Sequence, residues 1–146
     1  MAAVGIPASL SHLKYLKLSE ICFGLTMDVK FALFLIRNSP NLQKITIEAF
    51  VSTEAVKGSV LGFYDTLSNT KVSCFRLREV VMRCMTGTLP ELMFVKFLLA
   101  TLPMLEKMLI EPNPAKVNDR GLEILKEVIR FRRASSCAEI MFKDFY

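Results

Sequence analysis

One stretch of this chain is copied at a fixed distance, and that copy restricts the fold more than any other feature. Thr86–Glu111 reads TGTLPELMFVKFLLATLPMLEKMLIE: a capped apolar run, a proline stop at Pro103, then an alternating segment. Upstream, FALFLIRNSPNLQKITIE follows the same plan. Laying Pro40 on Pro103 puts Leu42 on Leu105, Ile45 on Met108, Ile47 on Ile110 and Glu48 on Glu111, every pair 63 residues apart. Self-similarity at a fixed period implies units that bury their apolar faces against one another.

A shorter spacing runs beneath the long one. Leu13, Leu16 and Leu18 are spaced L-x-x-L-x-L, and the pattern returns at Leu42, Ile45 and Ile47, at Leu77, Val80 and Met82, at Leu105, Met108 and Ile110, and at Cys137, Ile140 and Phe142. Five copies at intervals of 28–35 residues match the leucine-rich repeat, with one strand and one helix in each unit. The expected fold class is α/β. It is a leucine-rich-repeat-like solenoid, with a curved parallel sheet of about five strands and helices on the convex side.

Parallel strands in sequence order would make equivalent positions lateral neighbours. One column is then Tyr15, Lys44, Glu79, Lys107 and Glu139, and another is Ser19, Glu48, Arg83, Glu111 and Lys143. From the second strand onward the charge alternates in sign at every step of both columns. Opposite charges on adjacent strands contribute roughly 0.2–1 kcal/mol each, and a slip of one residue would destroy the match. Between the columns lie Lys17, Thr46, Val81, Leu109 and Met141, which turn apolar toward the C-terminus. The expected open face is an apolar stripe between two charged rails. Its partner-binding candidates are Val81, Leu109 and Met141 as anchors, with Arg83, Glu111 and Lys143 as flanking contacts.

Helices should fill the gaps. MDVKFALFLIRN, residues 27–38, is apolar nearly all round and should be well buried until Asn38-Ser39-Pro40 stops it. Residues 52–67 form a weaker helix, interrupted by Gly58 and Gly62, with a loop at Ser68–Lys71. Thr88-x-x-Glu91 is a capping box that opens a helix over Leu89–Leu102. Glu111-Pro-Asn-Pro-Ala reads as a rigid loop. Asp119 is placed to cap a helix over 120–132 with Leu122, Leu125, Val128 and Ile129 on one face, before a last strand at 137–143. Residues 1–9 read as a flexible start.

The run LREVVMRCMTGTLPELMFVKFLLATLPMLEKMLIE, followed by RFRRASSCAEIMF, resembles the FBD domain of plant F-box/FBD/LRR-repeat proteins. The matching details are Leu77-x-x-Val80, Gly87-x-x-x-Glu91, the helix ending before Pro103, and Arg133-Ala134-Ser135 leading into the last strand. The resemblance covers residues 72–146 as FBD domain, continuous with leucine-rich repeats over 10–71. It implies the substrate-recognition part of an SCF-type ubiquitin ligase adaptor, binding a candidate ubiquitination target. Residues 1–20 hold no F-box, so docking to a ligase subunit is not expected of this stretch.

Other function classes find less support. There is one histidine, His12, and no G-x-S-x-G, H-E-x-x-H or P-loop, so no enzyme, cofactor or metal site is expected. Cys22, Cys74, Cys84 and Cys137 are too scattered for a metal cluster and are expected as buried, reduced thiols. The Met-rich stretch Met82–Met108 reads as core. A net charge of +5 and the cluster Arg130, Arg132 and Arg133 raise nucleic-acid or phosphate-lipid binding as an alternative, and a non-functional truncated relative as another. No apolar run approaches the roughly 20 residues of a membrane helix, and no signal peptide is seen, so an intracellular protein, cytoplasmic or nuclear, is expected. Leu13–Leu18, as a first strand, would leave a free sheet edge open to self-association.

Overall fold

The structure is a computed structural model that describes residues 8–52, 57–68 and 76–143. After a 3-10 turn at Ala8–His12 come β1 (Tyr15–Ile21), α1 (Thr26–Arg37), β2 (Lys44–Ala49), α2 (Lys57–Ser68), β3 (Glu79–Met85), α3 (Leu89–Thr101), β4 (Lys107–Pro112), α4 (Asp119–Lys126) and β5 (Glu139–Phe142). The five strands form one sheet in chain order, every neighbour parallel. This is an α/β fold in which each crossover carries a helix over one face. Strand burial alternates accordingly: Ile45, Ile47, Val80, Met82, Met108 and Ile110 are sealed in the core, and the residues between them face outward.

The 63-residue copy is written into the hydrogen bonds. The Gln43 amide donates to the Lys14 carbonyl, and 63 residues on Glu106 donates to Arg78. Phe50 donates to Ile21, and Asn113 donates to Met85. Both β1 and β3 carry a register shift near their ends, between Leu18 and Ile21 and between Met82 and Met85. At each shift one non-glycine residue adopts a left-handed backbone, Glu20 at φ 57° and Cys84 at φ 60°. The two halves therefore match bulge for bulge.

The same correspondence extends to the helix starts. In the first half the Asp28 carboxylate, on the first turn of α1, accepts from the Cys22 amide at 2.9 Å. In the second half Glu91 holds the equivalent place on α3. Its Oε1 accepts from the amides of Thr86, Gly87 and Thr88 at 3.0, 2.7 and 3.1 Å. The capping box is present, with Thr88 Oγ1 accepting from the Glu91 amide. Glu91 is only 2% exposed. Burial pushes its carboxyl above the ordinary range, while the amide hydrogen bonds from Thr86, Thr88 and Gly87 pull it back. The turn it holds meets α4: Gly87, at φ 86°, and Gly121 approach so closely that a Cβ on either would strike backbone of the opposing segment.

Several local expectations change. α1 is not buried all round, because Met27, Phe31 and Phe34 are 74, 51 and 50% exposed. Among the described residues no helix lies on its β1 side. Asn118, not Asp119, caps α4, its side-chain oxygen accepting from the Gly121 amide at 2.6 Å. The helix stops at Lys126 and tightens into a 3-10 turn at Glu127–Arg130. Three residues per turn keep Val128 under Leu125 but swing Ile129 out to 52% exposure. The proline loop starts later than expected, since β4 runs through Pro112 before Asn113 turns the chain.

Cys137 is exposed. The inward places ahead of β5 are taken by Ser135, which donates to the Leu105 carbonyl, and by Ala138. Cys22 is buried and Cys84 half-buried, both free thiols, while Cys74 lies outside the described residues. α2 starts at Lys57 and takes in Ser68. The rest of the expected loop, 69–71, and the expected helix start at 53–56 also lie outside the described residues. Met82, Met85 and Met108 are fully buried, as expected of core.

Candidate functional site

The uncovered face of the sheet gathers the candidate residues. Lateral pairs fall in the register that the spacing predicts: Lys44 beside Glu79, Glu79 beside Lys107, Lys107 beside Glu139, and Thr46, Val81, Leu109 and Met141 in a row between the rails. Val81 and Leu109 are half-buried and Met141 is 37% exposed. They form an apolar row across three neighbouring strands, with the inward faces of those strands already packed against helices.

The rail nearer the strand C-termini is the tighter one. Arg83 reaches both neighbours, Nη1 to Glu48 at 3.6 Å and Nε to Glu111 at 3.5 Å, and Lys143 closes on the other oxygen of Glu111 at 3.1 Å. Glu111 is the least exposed member at 16%. The bulge at Cys84 sits directly after Arg83 at the strand end. Beside it Arg83, Cys84, Glu111, Asn113 and Lys143 line a cleft of about 260 Å³. Glu48 belongs with these residues and was absent from the sequence-derived set, although its column already pointed to it. The other rail is looser: Lys44 lies 3.9 Å from Glu79, and both are exposed. Exposed pairs of this kind contribute about 0–1 kcal/mol each, so the rails set register and surface pattern more than stability.

The helix side is held by polar groups of another kind. Tyr64 on α2 is buried, and its hydroxyl donates to the Phe23 carbonyl at 3.4 Å. Burial first, then the proximity of Cys22 and Glu91, raises the pKa of its phenol far above the ordinary tyrosine value. The group stays neutral and acts as a strut between α2 and the loop after β1.

The arginine cluster divides. The Arg133 guanidinium donates to the backbone carbonyls of Ala138 and Ile129, so it braces the turn before β5. Arg130 and Arg132 remain exposed. Two separate cations on a short turn make a weaker phosphate site than the sequence suggested. Among the described residues no helix is long and apolar enough to cross a membrane.

The chain is 29% identical over 142 residues to an F-box/FBD/LRR-repeat protein of Arabidopsis thaliana, an alignment covering 94% of this chain and 33% of that protein. It thus spans about a third of the length of the relative it matches. That likeness supports the resemblance drawn from residues 72–146 and extends it over nearly the whole chain. No family model matches, and no solved structure does.

Proposed function

We propose that this chain is a protein–protein interaction module that docks a partner on the open face of its sheet. One observation carries the reading: Val81, Leu109 and Met141 stand side by side on three consecutive strands, uncovered, beside the Glu48–Arg83–Glu111–Lys143 ladder. Apolar anchors inside a charged rim are the anatomy of a binding surface. The order-preserving parallel sheet and the likeness to an F-box/FBD/LRR-repeat protein favour a leucine-rich-repeat-like solenoid. By that likeness the module resembles the substrate-recognition part of a ubiquitin ligase adaptor. We read it as a non-enzymatic, intracellular protein whose partner is a candidate ubiquitination target.

Affinity capture with the wild-type chain and with Leu109→Asp and Met141→Asp variants tests this. Both side chains face outward, so the variants keep the wild-type circular dichroism spectrum. Their captured proteins should be lost. An unchanged set of partners on folded variants overturns the reading.

A further inference from the structure

The second surface lies on the opposite side of the molecule. The repeat pairs α1 with α3, so that Phe31 corresponds to Phe94 and Phe34 to Phe97. In α3 both rings are enclosed, at 0 and 7% exposure, with α2 packed along the helix and Phe23 against Phe94 at a ring-centroid distance of 4.6 Å. In α1 the same two positions are half-exposed, and Met27 joins them one turn earlier. The backbone plan and the aromatic residues are the same. What differs is the neighbouring helix.

Charge identifies what fits there. Along α1 the ionised side chains are Asp28, Lys30 and Arg37. Asp28 is turned back onto the Cys22 amide. Lys30 and Arg37 are exposed on the α2 side of the aromatic face. There they line a groove of about 290 Å³ with Phe34 and with Phe63 and Leu67 of α2, and the Lys30 ammonium lies 5.6 Å from the Phe63 ring centre. The groove therefore has an apolar floor and a positively charged wall.

We propose that this face binds an acidic amphipathic helix of a partner protein, laid along α1 much as α2 lies along α3. Its apolar residues, at spacings of three and four, cover Phe31, Phe34 and Met27, and its carboxylates meet Lys30 and Arg37. Residues that α2 itself buries, Val60, Tyr64 and Leu67, show the spacing required. This surface is independent of the sheet face, so either proposal stands without the other.

The test is a display selection on the full chain. The library consists of helical peptides of about 16 residues, roughly four turns, with fixed apolar positions and every flanking position free to be Glu or Lys. The wild-type chain should enrich Glu-rich members, and a Lys30→Glu/Arg37→Glu chain should enrich Lys-rich ones. Affinity for a selected peptide should fall about tenfold or more in Phe31→Ser and in Phe34→Ser, whose residues are already half in solvent. Absence of enrichment, enrichment blind to charge, or binding that survives both Phe substitutions overturns the proposal. So does retention on phosphatidylserine vesicles, or self-association on sizing, that these substitutions abolish, because the face would then serve a lipid surface or a second copy.

Discussion

Replacing Glu91 is the sharpest test of how the second half is held together. Its Oε1 takes three backbone amides within five residues, from Thr86, Gly87 and Thr88. Glu91→Ala orphans all three. A buried donor left unpaired costs about 1–3 kcal/mol, but Thr86 and Thr88 are half-buried and can recover water, whereas Gly87 cannot. The expected loss is about 2–5 kcal/mol, a large share of the roughly 5–15 kcal/mol that holds a domain folded. Glu91→Gln keeps one carbonyl oxygen for the amides and sheds the buried charge, so it should stay within about 1 kcal/mol of wild type.

The two variants also differ in pH behaviour. A carboxyl raised in the folded state contributes stability that is fully present below its unfolded-state value and is lost as pH rises through the folded-state value. From the ordinary carboxylate range upward, wild type should therefore lose ground to Glu91→Gln, which has no proton to release. Urea unfolding followed by circular dichroism at acidic and neutral pH measures both effects. An Ala variant within about 0.5 kcal/mol of wild type, a change no larger than an ordinary surface substitution, would refute the clamp. A Gln variant as unstable as Ala would show that the charge, not the acceptor geometry, holds the turn.

Two further substitutions probe the backbone. Gly121→Ala sets a Cβ against the Thr86 carbonyl, so thermal unfolding should show a loss of about 1–3 kcal/mol, whereas Gly62→Ala, in open space, should be neutral or stabilising. Glu20→Gly and Cys84→Gly relieve a left-handed backbone and should each raise stability by up to about 1 kcal/mol, read as a higher urea midpoint at unchanged slope.

Much of the sheet was legible because two signals agreed. Apolar spacing placed the inward residues, and the alternating charges of Lys44, Glu79, Lys107 and Glu139 fixed the register. The α3 cap was legible because Thr88 and Glu91 sit at the required separation. Other features had no such signal. Glu20 and Cys84 take backbone conformations for which sequence favours Gly or Asn, so the bulges stayed hidden. Adjacent Asn118 and Asp119 are both good caps, and only the approach to Gly121 selects the first. Phe31 and Phe34 have the same chemistry as Phe94 and Phe97. Their exposure depends on a neighbouring helix, which no local pattern encodes. The apolar row was legible as a surface, but its flank of Glu48 and the Cys84 cleft emerged only from contacts.

The alternation of the rails limits how a chain of this design can grow or shrink. Excising a single strand with its helix, for example β3 and α3, would set Lys44 against Lys107 and Glu48 against Glu111, and would leave β2 and β4, neither of them bulged, side by side. Excising or inserting two strands and two helices preserves every opposition and the bulge rhythm. The indivisible module is therefore the strand pair, and lengths that differ by about 63 residues are the ones this surface tolerates.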